Sequence, residues 1–222
     1  MKLATLFSGG KDSTFATYLA KKEGHEIVCL ITILSENKAS YMFHTPSISK
    51  TGKQAEVMNL PLVIDKTKGE KEIELEDLSR VIKKVKEDYG IDGIITGALH
   101  SDYQATRIQK ICDDLDLKCV NPLWHKEEFG YLKELIENDF DILIIGVSAY
   151  PLDKTWLGRK IDKKFIEELK ILHEKYKIHP AGEGGEFETF VLNCPLFERK
   201  LKVTDQKISG EKYSWVAEIE VV

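Results

Sequence analysis

Six consecutive residues near the start of the chain carry groups that suit phosphate chemistry: Ser8, Gly9, Gly10, Lys11, Asp12 and Ser13. Hydroxyls, unobstructed backbone N–H groups and an ammonium group bind phosphate oxygens. A neighbouring carboxylate suits a hard cation such as Mg²⁺, which prefers carboxylate and phosphate oxygens. The segment therefore predicts a nucleotide site, with Lys11 and Asp12 as catalytic residues and Asp12 as the Mg²⁺ contact.

The residues on either side of this segment predict a strand and a helix. Residues 1–7 are short and apolar enough for a buried parallel strand, and residues 14–23 place apolar side chains at helical spacing before Gly24. The loop then lies at a helix N-terminus, where unpaired N–H groups and the helix dipole favour an anion. Gly9 and Gly10 allow a ligand to approach the main chain without a Cβ in the way.

The spacing separates this segment from other phosphate-binding loops. A Walker loop has four residues between its first glycine and Gly-Lys-Ser/Thr, whereas Gly9 and Gly10 are adjacent. A dinucleotide-binding fingerprint is also missing. The segment resembles the pyrophosphate loop of the N-type ATP pyrophosphatases. The alternative is an ordinary glycine-rich turn, but average residue frequencies predict such a match in only about a few of ten thousand chains of this length.

Carboxylates crowd a second segment near the other end of the chain. Glu183, Glu186 and Glu188 lie within six residues, around Gly184 and Gly185. Their charges repel one another unless a cation or strong hydrogen-bond donors lie between them. If the chain is extended past Gly185, Glu186 and Glu188 point to the same side. An acidic turn before a strand is the simpler alternative.

Composition excludes several classes of protein. The chain has 222 residues, 42% hydrophobic and 31% charged, with a net charge of −5, so no overall charge attracts nucleic acid or an anionic membrane. No apolar run is long enough to cross a bilayer, and the chain enters a strand directly from Met1, which predicts a cytoplasmic protein. The four cysteines form no Cys-x-x-Cys pair, which argues against zinc and iron–sulfur sites.

Strands and helices alternate along the first half of the chain. Strands are predicted at 26–34, 62–64, 93–96 and 118–121. Helices are predicted at 45–59, around 78–89 and after Asp102. The first of these helices has Thr45 as N-cap and Pro46 as first helical residue. This order is typical of a parallel α/β sheet covered on both faces. Ligands of such sheets bind beyond the carboxyl ends of the strands, so the first loop and the loop opened by Gly97 are expected to share one cleft.

The pattern changes after Trp124. A helix near 127–138, a strand at 142–147 and a helix from about 162 to 176 are followed by two alternating segments, 201–203 and 215–221. The last two predict an antiparallel hairpin whose turn is Ser209–Gly210.

Four motifs together resemble the diphthine–ammonia ligase family, in order and over nearly the full length of the chain. They are Ser8–Ser13, Gly97–Gln104 with Arg107, Pro122–Trp124 and Glu183–Thr189. The resemblance implies a five-stranded parallel sheet of the adenine nucleotide alpha hydrolase-like (HUP, Rossmann-like) fold in an ATP pyrophosphatase domain, 1–123. It implies a smaller C-terminal α+β domain, 124–222, that carries the acidic motif.

The resemblance also implies an activity, the amidation of diphthine on elongation factor 2 to diphthamide with ATP, Mg²⁺ and ammonium. ATP would convert the carboxylate into an acyl adenylate with release of pyrophosphate, and ammonia would displace AMP. Nucleotide binding is assigned to Ser8–Ser13 and Gly97, and substrate binding to Tyr103, Gln104, Glu183, Glu186 and Glu188. His44, His100 and His179 are candidate proton carriers.

Two alternatives stay open at this point. A tRNA-modifying pyrophosphatase would share the first motif but normally has paired cysteines or a basic RNA-binding domain. A nucleotide-binding protein without catalysis would leave the acidic motif unexplained. Direct contact with nucleic acid or a membrane is not expected, and a homo-oligomer is left open.

Overall fold

The first of two sheets is parallel, and its first strand is central. The computed structural model describes residues 1–35, 47–68 and 73–222, and within these ranges the sheet has five parallel strands: β1 (Lys2–Leu6), β2 (Glu26–Ser35), β3 (Leu62–Thr67), β4 (Gly93–Ile95) and β5 (Lys118–Val120). Their order is β3-β2-β1-β4-β5, so β1 is central and the direction of chain progress reverses between β1 and β4. The predicted α/β class is confirmed.

Helices cover both faces of this sheet. They are α1 (Lys11–Lys22), α2 (Thr51–Met58), α3 (Ile73–Tyr89) and α4 (Asp102–Asp114). Leu3 of β1 packs in the apolar cluster that includes α1 and α2, and its neighbour Ala4 packs in the cluster that includes α3 and α4. Because strand side chains alternate between faces and both faces are buried, β1 is apolar throughout most of its length.

The second sheet is antiparallel and belongs to the C-terminal half. Its strands are β6 (Asp141–Ser148), β7 (Phe187–Asn193), β8 (Val203–Glu211) and β9 (Ser214–Val221), in the order β7-β6-β9-β8, accompanied by α5 (Glu128–Glu137) and α6 (Lys163–Tyr176). One apolar cluster continues from α1 into this half, where Phe15 meets the edge of Phe140 at 5.1 Å between ring centroids. This shared core fixes the second sheet beside the first turn of α1.

Two helix starts differ from the sequence prediction. Helix α1 begins at Lys11 and not at Thr14, so Lys11 and Asp12 belong to its first turn. Thr45 and Pro46, predicted to start a helix, lie outside the described residues. Ser47 has a left-handed φ of 57°, which interrupts any helix that would continue through it, and α2 begins only at Thr51, after a 3₁₀ turn at Ile48–Lys50.

The predicted position of the hairpin turn was wrong by three residues. The ladder between β8 and β9 extends to the pair Glu211 and Ser214, which leaves Lys212 and Tyr213 as the turn. Gly210 lies inside β8, paired with Trp215, and a Cβ there would come within 2.2 Å of the Ser214 carbonyl oxygen. This glycine therefore marks a close approach of two backbones, and not a chain reversal.

No helix in residues 1–35, 47–68 or 73–222 is long and apolar enough to cross a membrane.

Candidate active site

The two predicted nucleotide loops meet at the carboxyl edge of the parallel sheet. Residues 7–10 connect central strand β1 to α1, and Gly97 follows β4, the neighbouring strand. A Cβ on Gly97 would lie 2.8 Å from both the carbonyl carbon of Asp12 and the backbone nitrogen of Ser13. No larger residue fits without displacing the backbone of the first turn of α1. The two loops therefore lie side by side at one edge of the sheet, and their sharing of a nucleotide cleft stays a prediction.

Gln54 of α2 fixes the conformation of the first loop. Its side chain is fully buried, and Nε2 donates to the carbonyl oxygens of Gly9 at 2.8 Å and Val191 at 2.9 Å. Gly9 has a φ of 78°, and a Cβ there would lie 2.1 Å from Oε1 of Gln54. The glycine is therefore required both for its left-handed backbone and for the close approach of this amide.

The start of α1 has the features of an anion site. Gly10 is the N-cap, and no side chain caps the helix. Ser8 and Ser13 approach each other across the loop, with 3.3 Å between their hydroxyl oxygens. In the described part of the chain, no hydrogen-bond acceptor meets the backbone N–H groups of Asp12 and Ser13. These groups and the helix dipole can bind phosphate oxygens.

Lys11 and Asp12 form an ion pair in the first turn of α1. Lys11 is only 3% exposed, and its Nζ lies 2.9 Å from Oδ2 of Asp12 and 5.5 Å from the centre of the Phe187 ring. Tyr131 of α5 donates its hydroxyl to Oδ1 of Asp12 at 2.7 Å. Burial and the charge of Asp12 raise the pKa of Tyr131 well above its usual range, so the phenol remains a donor. Both oxygens of Asp12 are thus held in a fixed orientation.

The acidic motif contacts the phosphate loop directly. Thr189 accepts the backbone N–H of Lys11 on its hydroxyl at 3.1 Å, although the two residues are 178 positions apart. Val191, also on β7, donates its N–H to the carbonyl of Gly9 at 3.0 Å. The second sheet therefore contributes part of the wall of the nucleotide loop.

Two of the three predicted glutamates interact electrostatically with the Lys11–Asp12 pair. Burial raises the pKa of Glu188 to about 7, against the opposing effect of Lys11, and Asp12 raises it further. Burial and Asp12 also raise the pKa of Glu183, whose Oε2 accepts the backbone N–H of His100 at 3.1 Å. Three carboxylates are therefore grouped around one buried ammonium group, which leaves an excess of negative charge.

Glu186 has a different environment. Its Oε1 accepts the N–H of His179 at 3.0 Å, and its Oε2 accepts the N–H of Gly184 at 2.9 Å. Both acceptors are therefore used within the loop that carries them. Such contacts hold the turn in shape, whereas Glu183 and Glu188 lie near Lys11 and Asp12. The assignment of all three glutamates to substrate binding stays a prediction.

Tyr103 and Gln104 lie in the first turn of α4, directly after the loop that contains His100. The guanidinium of Arg107 stacks 3.5 Å from the centre of the Tyr103 ring, and the N–H of Gln104 donates to the N-cap hydroxyl of Ser101 at 3.4 Å. Their assignment to substrate binding stays a prediction. His44 lies outside the described residues.

Asp12 fits the predicted role of a Mg²⁺ contact. No group of three or more His, Cys, Asp or Glu side chains in the described ranges is arranged to hold a metal ion by itself. Mg²⁺ commonly binds one or two carboxylates and completes its shell with phosphate oxygens and water. The Asp12 side chain remains 31% exposed, and the excess negative charge around it favours a cation.

Sequence reasoning missed Gln54 and Tyr131. Both lie on helices among apolar neighbours, and both are buried through contacts with residues far away in the chain. For Gln54 the sequence offered only an amide side chain within a predicted helix. For Tyr131 we find none, since a tyrosine on an apolar helix face is ordinary core composition.

Comparison with known proteins gives concordant matches along the chain. Residues 1–119 match the model of the diphthamide synthase N-terminal domain, and residues 127–221 match that of the C-terminal domain. The diphthine–ammonia ligase of Homo sapiens is 36% identical over 94% of this chain and 85% of its own length. The corresponding protein of Schizosaccharomyces pombe is 34% identical over 95% of this chain, which spans only 38% of that relative.

A solved structure with a similar chain path is the predicted subunit of a tRNA methyltransferase from Methanocaldococcus jannaschii. It covers 87% of this chain and 97% of its own, with 16% sequence identity and a TM-score of 0.47, a likeness too weak to bear on function.

Proposed function

Because the chain belongs to the diphthine–ammonia ligase family, we propose that it catalyses the ATP-dependent amidation of diphthine on elongation factor 2, with ammonium as nitrogen donor. The observation that carries this proposal is the hydrogen bond from Lys11 to Thr189, with Glu183 and Glu188 near the same lysine. A phosphate loop and a group of carboxylates suited to a cationic substrate are thus parts of one site.

Amide formation from a carboxylate requires a better leaving group than hydroxide. In the proposed reaction the diphthine carboxylate attacks the α-phosphorus of ATP, which gives an acyl adenylate and releases pyrophosphate. Ammonia then forms the C–N bond, and AMP leaves. The protein must therefore stabilise negative charge on the departing phosphates in the first step and supply a deprotonated nitrogen in the second.

The nucleotide side of the site is assigned to Ser8, Gly9, Gly10, Lys11, Asp12, Ser13 and Gly97. Unpaired N–H groups at the start of α1 would bind the β- and γ-phosphates, and the nearby Lys11 ammonium would offset the charge that develops on them. Gly97 would let the nucleotide approach the sheet edge closely.

Asp12 would hold Mg²⁺, which supplies a positive charge shared among the phosphate oxygens. Tyr131 and Lys11 orient the carboxylate for this role through their contacts to its two oxygens. The residues of the chain would thereby position the phosphates before the acceptor arrives.

The acceptor side is assigned to the C-terminal domain, 124–222, together with the start of α4. The diphthine side chain carries a trimethylammonio group, and the nitrogen donor arrives as ammonium, so both substrates are cations. Glu183 and Glu188 would attract them by charge, and Glu186 would keep the loop in shape. Tyr103 and Gln104 would contact the acceptor, and the reaction would take place in the cytoplasm.

One reconstituted reaction tests the proposal. The protein is incubated with ATP, Mg²⁺, ammonium and diphthine-bearing elongation factor 2, and the nucleotide product and the modified peptide are analysed. We expect AMP, pyrophosphate and an amidated peptide, and loss of the amide when ammonium is omitted. ADP as the product, or no turnover with binding intact, would refute the proposed function. Formation of AMP in the presence of tRNA, without amidation of elongation factor 2, would support a tRNA-modifying enzyme instead.

A further inference from the structure

Three titratable side chains from separate parts of the chain meet beside Glu183. His100 lies in the loop after β4, Glu128 in the first turn of α5, and His179 in the loop before β7. Oε1 of Glu128 is 3.3 Å from Nε2 of His100 and 3.6 Å from Nε2 of His179. One carboxylate oxygen is therefore held between two imidazole rings.

Hydrogen bonds to the other nitrogen fix the tautomer of His179. Its Nδ1 accepts the N–H of Ala181 at 3.2 Å and that of Glu183 at 3.5 Å. A nitrogen that accepts hydrogen bonds does not carry the proton of a neutral imidazole, so the proton lies on Nε2 and faces Glu128. The N–H of His179 is thus directed at Glu128 from 3.6 Å, and its own lone pair is already used.

His100 has the same tautomer, but its lone pair is used differently. Its Nε2 lies 3.1 Å from the carbonyl oxygen of Lys126, which can only accept, and also faces Glu128. Nε2 therefore carries the proton, and the lone pair of the neutral ring lies on Nδ1. Within the described ranges, no residue hydrogen-bonds to Nδ1. This is the ring nitrogen nearer the main chain, and the main-chain N–H of the same residue donates to Glu183.

We propose that Glu183 and His100 form the ammonium site, in which His100, held by Glu128, is the base that converts ammonium into ammonia. The inference rests on the proposed function and assigns its nitrogen substrate to named groups. The side chains of His100 and Glu128 are 30% and 31% exposed, so the site is open to a small cation from solvent. Glu183, which also faces Asp12, provides the charge that attracts it.

Ammonium loses one proton to His100 before it attacks the adenylate and a second proton afterwards. One N–H bond of ammonium breaks, its proton goes to Nδ1 of His100, and the carboxylate of Glu128 stabilises the resulting imidazolium. The freed lone pair of ammonia forms the bond to the acyl carbon of the adenylate. The bond from that carbon to the phosphate oxygen breaks, and AMP leaves with the electron pair. The new protonated amide nitrogen then releases a second proton to water.

A change of nucleophile separates this role from a structural one. His100→Gln keeps an N–H donor near the position of Nε2 but has no basic nitrogen. We expect its ammonium-dependent kcat/KM to fall about a hundredfold, which is within the range of general-base catalysis. Adenylate formation, followed as exchange of labelled pyrophosphate into ATP, should be unchanged. Hydroxylamine is largely unprotonated at neutral pH and needs no base, so its reaction with the adenylate should stay near the wild-type rate.

Two further variants complete the experiment. Glu128→Gln should slow the ammonium reaction about tenfold and leave the hydroxylamine reaction near wild type, because it removes only the charge that stabilises the imidazolium. His125→Asn is the control: its ring centroid lies 5.7 Å from that of His100, and asparagine tolerates its φ of 59°. This variant should retain the ammonium reaction.

The outcomes distinguish the two proposals. Equal losses with ammonium and hydroxylamine in His100→Gln, or no loss with either, would overturn the assignment of His100 while wild-type amidation still supports the proposed function. A wild-type protein that forms neither the amide with ammonium nor the hydroxamate with hydroxylamine would refute the proposed function, and the ammonium site with it.

Discussion

Glu188 is expected to destabilise the folded protein at neutral pH, and Glu188→Gln should reverse this. The carboxyl group is partly buried on β7, where burial raises its pKa from 4.5 to about 7. Since the folded state binds the proton more tightly than the unfolded state, stability from this group is present below pH 4.5 and is lost as the pH rises to about 7. Glutamine has the same size and no charge to desolvate.

The magnitude follows from the shift. A rise in the pKa of Glu188 from 4.5 to about 7 corresponds to about 3 kcal/mol of unfolding free energy, at about 1.4 kcal/mol per pKa unit. Because Glu188 is partly exposed, solvent screening reduces this to about 1–2 kcal/mol. We therefore expect Glu188→Gln to exceed the wild type in unfolding free energy by about 1–2 kcal/mol at pH 8, with the gain vanishing near pH 4.5.

Urea unfolding between pH 4.5 and pH 8, with EDTA and without nucleotide, measures this difference. Glu186→Gln is the matched control. Its carboxylate accepts two loop N–H groups, so its loss should lower stability by about 1 kcal/mol and give no stabilisation at pH 8. A constant stability difference between wild type and Glu188→Gln across the pH range would refute the reasoning. Glu188→Gln should also lose amidation, because the charge proposed to attract the cationic substrates is removed.

Three more predictions concern the nucleotide half of the site. Gly97→Ala should weaken ATP binding, measured by calorimetry, at least about tenfold, equivalent to about 1.4 kcal/mol, because the new Cβ would meet the backbone of Asp12 at 2.8 Å. Gly52→Ala is the control, since a Cβ there would have nothing within 4 Å. Asp12→Asn should abolish turnover and leave the protein folded, since its size and its contact to Tyr131 are kept, but its melting temperature should fall because the buried Lys11 loses its ion-pair partner. Near-normal product formation would remove Asp12 from the mechanism. Tyr131→Phe should lower the unfolding free energy by about 1 kcal/mol and reduce kcat through a misoriented Asp12, and an unchanged kcat would make the tyrosine purely structural.

The alternation of strands and helices was readable from the sequence because it depends on local spacing. Short segments show this spacing directly: apolar residues recur at period two or 3.6, glycines follow helices, and a loop joins a strand to a helix. The phosphate loop at Ser8–Ser13 and its position at the end of a strand could be predicted in the same way. The turn at Lys212–Tyr213 could not, because Ser209–Gly210 has the composition of a turn and only the pairing of β8 with β9 shows that it is strand.

The tertiary structure alone decided which distant groups act together. Nothing local to Thr189 predicts its contact with Lys11, and nothing local to Glu128 predicts its position between His100 and His179. Similarly, Glu186 and Glu188 belong to one motif, yet Glu186 binds its own loop and Glu188 is partly buried near Lys11. The chemistry of a carboxylate depends on desolvation and on charges a few ångströms away, and packing between residues far apart in the chain sets both.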